Sequence, residues 1–174
     1  MKAKMLRIEL NKGANWSDEI DWQERSEKAS TAALSVSSYG QLAQQNFALE
    51  ISVKLSDNDE VQQLNAAYRG KDKPTNVLSF PLVPHDLLQS LSNSDDGEVL
   101  LGDIIMAHDV CAQEADEKSI TMADYMSHLL VHGVLHLLGY DHETEADALI
   151  MEALEVRALQ NLSIANPYID RHTE

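Results

Sequence analysis

Cys111 is the only cysteine in 174 residues. Neither an internal disulfide framework nor a zinc site built on several thiolates is therefore available, and a reducing compartment, the cytoplasm, is expected. Long apolar runs are also missing. The longest, residues 129–138, is interrupted by His132 and His136 and falls short of the ~20 residues that a membrane-spanning helix needs. Residues 1–10 alternate apolar with charged positions, unlike the unbroken apolar stretch of a secretory signal, so no membrane partner is expected. Cations are scarce: 13 Lys and Arg against 29 Asp and Glu give a formal net charge of -16. That excess favours solubility and opposes nucleic-acid binding through bulk charge. Charges more than ~8 Å apart are strongly screened at physiological salt, however, so a local cluster such as Arg69, Lys71 and Lys73 decides. No repeat, low-complexity tract or Pro-rich linker divides the sequence. At this length one core burying about 70% of the unfolded surface suffices, which predicts a single domain over residues 1–174 with a loose tail at 166–174.

The elements present are mostly periodic. Leu6, Ile8 and Leu10 alternate with polar neighbours as in a half-buried strand, and residues 47–55 repeat the pattern with Phe47, Leu49, Ile51, Val53 and Leu55 on one face. Residues 77–80, between Pro74 and Pro81, predict a short strand at a sheet edge, where proline is tolerated. Residues 104–107 predict a fourth strand. Helices are expected from a cap at Asn15 or Ser17 to about Tyr39, and from a capping box at Ser56, Asp57 and Glu60 to a C-cap at Gly70. Three more are expected over residues 110–118, from Thr121 to Leu138 with Gly139 as the stop, and from Thr144 to about Leu159. Residues 84–98 are acidic and aperiodic, which predicts a loop. Four strands grouped with about five helices in this order predict an α+β domain.

The chemistry concentrates in His132-Gly133-Val134-Leu135-His136-Leu137-Leu138-Gly139-Tyr140-Asp141-His142. Residues four apart on a helix lie one turn above each other, about 6 Å along the axis, so His132 and His136 can converge on one ion. Gly139 can adopt the left-handed conformation that ends the helix and reverses the chain, which returns His142 as a third nitrogen donor. Three ring nitrogens leave the fourth corner of a tetrahedral zinc ion to water. One Zn2+ per chain held this way keeps most of its charge and lowers the pKa of its water to about 7; hydrolysis of an anionic ester is the natural chemistry. A lone histidine is more simply a satisfied core residue. Three of them among Leu135, Leu137 and Leu138 would each need a partner, because an unpaired buried polar group costs about 1–3 kcal/mol. His128 stands one turn before His132 but cannot use the Gly139 turn, so it is placed in the cleft behind the ligands. Asp141 is a candidate for orienting a ligand histidine or is simply solvated. The spacing also resembles the metzincin protease signature, whose first histidine is followed by a glutamate general base. Gly133 takes that position here, so a metalloprotease ranks third.

The histidine segment resembles the signature of the YbeY family, bacterial single-strand-specific metallo-endoribonucleases. Two further segments share the resemblance, Tyr68-Arg69-Gly70-Lys71-Asp72-Lys73-Pro74-Thr75-Asn76-Val77-Leu78-Ser79-Phe80-Pro81 and Leu101-Gly102-Asp103-Ile104, so that it runs from about Ile51 onward. It implies a small four-stranded mixed sheet packed with helices and a metal cleft beside the sheet. It implies zinc on His132, His136 and His142, Arg69 as a cationic residue needed for activity, and Asp103 as an acidic residue of partner binding. It also implies maturation of small-subunit ribosomal RNA and ribosome quality control. The partner is then single-stranded ribosomal RNA, with small-subunit ribosomal proteins and an assembly GTPase as further candidates. Chemistry explains the arginine: a guanidinium binds two non-bridging phosphate oxygens with a planar pair of hydrogen bonds as they gain charge. By position alone Arg69 is more simply a surface cation at a helix C-terminus, worth about 0.3–1 kcal/mol, and Asp103 is equally a turn residue. Residues 75–80 can line a substrate groove, although Val77, Leu78 and Phe80 read as core, and the general base is unassigned. A reading from another class is a non-catalytic ribosome-assembly factor with a structural zinc, whose acidic surface recruits basic proteins. It suits a charge of -16 better.

Overall fold

The computed structural model describes residues 6–44, 48–90 and 98–168. Strands β1 (Arg7–Lys12), β2 (Ala48–Ser56), β3 (Val77–Pro81) and β4 (Glu98–Ala107) form one sheet in the order β1-β2-β4-β3. The first three in that order run parallel, and β3 runs antiparallel to β4. Helices α1 (Trp22–Val36), α2 (Asn58–Arg69), α3 (His85–Ser90), α4 (His108–Glu117), α5 (Met122–Leu137) and α6 (Glu145–Asn161) complete the α+β fold, with a 3-10 turn at Gly40–Gln44.

Strand alternation divides the sheet into two faces. Leu49, Ile51, Val53 and Leu55 of β2, with Ile104 and Met106 of β4, enter the main core shared with α1, α5 and α6. On the opposite face Ile105, Ala107 and Leu78 pack with Val61 of α2 in a second, smaller cluster. α5 is buried on nearly every side, by Tyr125, Met126, Leu129, Leu130, Val131, Val134, Leu135 and Leu137. Each fully buried leucine contributes about 1.5–3 kcal/mol, so α5 is a rigid beam for what it carries. Gly133 lets that beam lie directly on the sheet: a Cβ there would stand 3.0 Å from Ser79 Oγ and 3.1 Å from Ile104 Cδ1.

Side-chain caps set the helix starts. Asp57 accepts from the Glu60 N–H, Thr121 from the Asp124 N–H and Thr144 from the Asp147 N–H, at 2.9, 3.1 and 3.0 Å. α1 starts later than expected, because Asp21 rather than Asn15 or Ser17 is its cap. The preceding segment is held instead by two indoles: Trp16 Nε1 donates to Ser56 O and Trp22 Nε1 to Ser17 O, at 2.9 and 2.8 Å. α1 also ends earlier, at Val36, where Ser37 Oγ donates to Leu34 O at 2.7 Å. The expected loop at 84–98 contains α3, anchored by the buried Leu88, while residues 91–97 lie outside the described residues. β4 is longer than residues 104–107 suggest, because Gly102, Asp103 and a register shift opposite Glu50 and Ile51 break its apolar alternation. Phe47 of the expected second strand lies outside the described residues. β3 occupies the sheet edge, as its flanking prolines require.

Candidate functional site

α5 presents His132 and His136 one turn apart. Beyond its end Gly139 takes φ +98°, and the Tyr140 N–H donates to Leu135 O at 3.1 Å. The chain thereby reverses and His142 returns beside the other two. One nitrogen from each of His132, His136 and His142 lies within 4.8 Å of the others. The rings of His132 and His142 stack 5.5 Å apart, with His136 set across them at 4.6 and 5.1 Å.

Hydrogen bonds fix the tautomers. His132 Nδ1 lies 2.6 Å from Glu155 Oε2, and His136 Nδ1 lies 2.9 Å from Tyr140 O. Carboxylate and carbonyl oxygens only accept, so both Nδ1 atoms carry protons, and when the two rings are neutral both Nε2 atoms present lone pairs. Those Nε2 atoms face each other at 3.1 Å. Two lone pairs at that separation repel unless a cation or a proton lies between them, so the donor set fits a divalent ion that prefers nitrogen. Burial first, and then the neighbouring His132, hold the pKa of His136 down at about 4, which leaves the ring in its neutral, ligating form at pH 7.

Behind the trio sits Glu155 of α6, only 1% exposed. Its Oε1 accepts from His128 Nε2 at 3.0 Å and from the Tyr168 hydroxyl, while Oε2 takes the His132 proton. Burial alone would raise its pKa. The hydrogen bonds from His128 and His132, the charge that His132 carries once protonated and the Tyr168 hydroxyl overcome that effect and bring it to about 2. Glu155 escaped notice in the sequence because α6 is rich in acidic residues. The signal was its register: it shares a buried stripe with Met151, Ala158 and Leu159, and a carboxylate in such a stripe needs partners. Tyr168, expected in a loose tail, instead seats its ring edge-on against His128 at 5.8 Å. Residues 169–174 lie outside the described residues.

These pKa values carry a stability consequence with a definite sign. In the unfolded chain His136 protonates near pH 6.5, in the folded chain only near pH 4, so the unfolded state binds more protons in between. The metal-free protein is therefore expected to lose stability as pH falls from about 6.5 to about 4. Glu155 adds a further loss as pH falls from about 4.5 towards about 2. Thermal melts of metal-stripped protein between pH 7 and 4 check this, and a melting temperature independent of pH over that span would refute it.

The cleft beside the trio has a volume of about 890 Å³ and runs between the outer edge of β3 and the histidine face of α5. Arg69, the last residue of α2, lines it, and its side chain makes no hydrogen bond or ion pair among the described residues. Lys71 and Lys73 are exposed outside the cleft lining, whereas Lys118, which the sequence did not single out, belongs to it. Residues 75–81 line the cleft as a groove wall, although Leu78 is also buried against α2. His128 lines the cleft and is tied to Glu155. Asp141 also lines it, but its Oδ1 accepts from the Glu143 N–H at 3.2 Å; Glu155 and Tyr140 O are the groups that orient the histidines. Asp103 is not brought to the trio. It shares the opposite sheet face with Ile105 and lines a separate hollow with Lys54 and Glu60. At Gly133 even a Cβ would crowd Ser79 and Ile104, so a protease glutamate there would have to displace both.

The sequence profile described as Endoribonuclease YbeY matches residues 12–163. A protein named Endoribonuclease YbeY from Sphingopyxis alaskensis is 53% identical over 167 residues, 96% of this chain and 99% of that one. Another of that name from Rhizorhabdus wittichii is 49% identical over 164 residues, 94% of this chain and 97% of that one. A solution structure of a Thermotoga maritima protein shares the fold at 24% identity, with a TM-score of 0.52 over 91% of this chain and 92% of that one.

Proposed function

The chain belongs to the endoribonuclease YbeY family, and from that premise we propose that it is a zinc-dependent endoribonuclease. Its substrate in this reading is single-stranded RNA, its setting the cytoplasm, and its task the maturation of small-subunit ribosomal RNA and ribosome quality control. The observation that carries the reading is the pair of Nε2 lone pairs facing each other at 3.1 Å, with His142 beside them and an open cleft in front.

His132, His136 and His142 would hold the zinc, one per chain. Bound there, the ion would supply Lewis acidity and a water of lowered pKa for phosphodiester hydrolysis at neutral pH. Arg69 receives two non-bridging oxygens of the phosphodiester on its planar guanidinium and neutralises the charge they gain. Lys118 adds a second cation to the same cleft, against the one carboxylate of its lining, Asp141, so the local balance is cationic although the chain as a whole carries -16. Glu155 and Tyr140 O hold His132 and His136 in the tautomer that ligates. With both oxygens engaged by His128, His132 and Tyr168, Glu155 is not a base that takes a proton from water. Asp103 lies on the far face of the sheet, where a small-subunit ribosomal protein or an assembly GTPase can dock while RNA occupies the cleft.

A structural zinc in a non-catalytic assembly factor would have to hold the fold together. Here α5 is fixed by apolar burial on its other sides. The loop that carries His142 is tied by the Tyr140 N–H to Leu135 and by the Tyr140 hydroxyl to Ser38 at 2.7 Å. Chelation is accordingly expected to abolish cleavage of single-stranded RNA with the circular dichroism spectrum intact, and zinc to restore it. Cleavage that survives chelation would overturn the metal-dependent mechanism; unfolding on chelation would favour the structural ion.

A further inference from the structure

β3 closes the sheet, and its outer edge faces the cleft. Asn76 O accepts from the Ala107 N–H at 3.1 Å, and the Leu82 N–H donates to Leu101 O at 2.9 Å. Hydrogen-bonded positions alternate along an antiparallel pair. In the register that pairs Val77 with Met106 and Pro81 with Gly102, Leu78 and Phe80 therefore spend their main-chain groups on β4. Those of Val77, Ser79 and Pro81 point away from the sheet. The Val77 N–H is taken by Asn76 Oδ1 at 2.6 Å, and proline has no N–H. Among the described residues Ser79 alone presents an unbonded N–H beside its own C=O on this edge, in the cleft that holds the histidine trio and Arg69.

A single donor does not make a ladder, so the edge is a poor template for an added peptide strand, which needs donors at alternate residues. One N–H next to one C=O matches a different partner. Every nucleobase carries an acceptor adjacent to a donor on its Watson–Crick edge, and unpaired bases are recognised there while stacked on aromatic rings. Tyr68 supplies such a ring: it is 70% exposed, packs edge-on against Phe80 at 5.4 Å and lines the same cleft beside Arg69.

We propose that the main-chain N–H and C=O of Ser79 pair with the Watson–Crick edge of one nucleotide of the bound RNA, and that this pairing confines the cleft to unpaired strands. The inference rests on the nuclease reading above. In a duplex the same edge is occupied by the opposite base, so double-stranded RNA has nothing to offer Ser79.

Ser79→Pro removes the outward N–H at a position where an edge strand tolerates proline, and Leu78 before it is already extended. Ser79→Ala keeps the main chain and serves as the control. Each enzyme is assayed on a single-stranded RNA oligonucleotide in which one N1-methyladenosine or N3-methylcytidine is walked along the sequence. Wild type is expected to lose about tenfold in kcat/KM when the methyl group reaches one position relative to the cut, and S79A, measured against its own rate on the unmodified strand, to show the same loss at the same position. S79P is expected to lose about tenfold on the unmodified strand and to be indifferent to the methyl group at that position. If S79P melts early, an ester in place of the residue 79 amide removes the same N–H and should behave alike. A wild type indifferent to the methyl group at every position, or an S79P still sensitive to it, overturns the pairing. An unmodified strand left uncut by wild type would overturn the nuclease reading as well, so the two failures are distinguishable.

Discussion

Arg69→Ala is expected to lower kcat on single-stranded RNA by about 10²–10³ while metal uptake and melting temperature stay near wild type. The two halves of this expectation have separate causes. α2 ends on main-chain bonds, from the Gly70 N–H to Ala66 O and from the Lys71 N–H to Asn65 O, both 3.2 Å, and these do not involve the Arg69 side chain. That side chain is exposed and unpaired among the described residues, so folding loses no more than the helix-dipole contribution, about 0.3–1 kcal/mol. The catalytic loss comes from removing donors aimed at oxygens that gain charge during phosphodiester hydrolysis. Arg69→Lys restores charge without the planar pair of N–H groups and should recover only part of the rate. Single-turnover cleavage at saturating RNA, with zinc content measured on the same samples, makes the comparison. An Arg69→Ala enzyme within threefold of the wild-type rate would remove Arg69 from the mechanism.

Legibility in the sequence followed the range of the interactions. The edge strand β3, the capped starts of α2, α5 and α6 and the turn at Gly139 are local events, and local patterns predicted them. The trio His132, His136 and His142 was legible for the same reason, since its geometry is a helix turn plus one chain reversal. What failed depends on distant partners. The start of α1 was misplaced because Trp16 reaches across the chain to Ser56, holding residues that carry good capping side chains in a non-helical connection. β4 was cut short because both its neighbours stabilise a segment whose own apolar period is broken at Gly102 and Asp103. Glu155 and Tyr168 were missed because their role exists only once α6 lies beside α5. Lys118 was missed for a similar reason, since only the packed helices bring it to the same cleft as Arg69.

Glu155 gives the second large effect, and two substitutions separate its two duties. Glu155→Ala leaves His128, His132 and Tyr168 without their common acceptor in a site that is 1% exposed. Breaking such a buried arrangement is expected to cost about 3–5 kcal/mol of folding stability, read as a fall in melting temperature of the metal-free protein. Glu155→Gln keeps the shape and most of the packing, so its stability cost is smaller, but it changes what His132 is offered. If the amide oxygen faces His132 Nδ1, the tautomer survives against a neutral and weaker acceptor. If the amide NH2 faces it, the ring must move its proton to Nε2 and the ligating lone pair is lost. Either orientation weakens the ion's hold, and an orienting partner of this kind is typically worth 10–100-fold in metal affinity. Competition with a chromophoric chelator is therefore expected to show zinc binding weakened by about that factor in Glu155→Gln, with Tyr168→Phe, which removes one donor from Oε1, falling between it and wild type. A Glu155→Gln protein that binds zinc within twofold of wild type would mean that helix packing alone sets the His132 ring, and Glu155 would then be a purely structural anchor of α6.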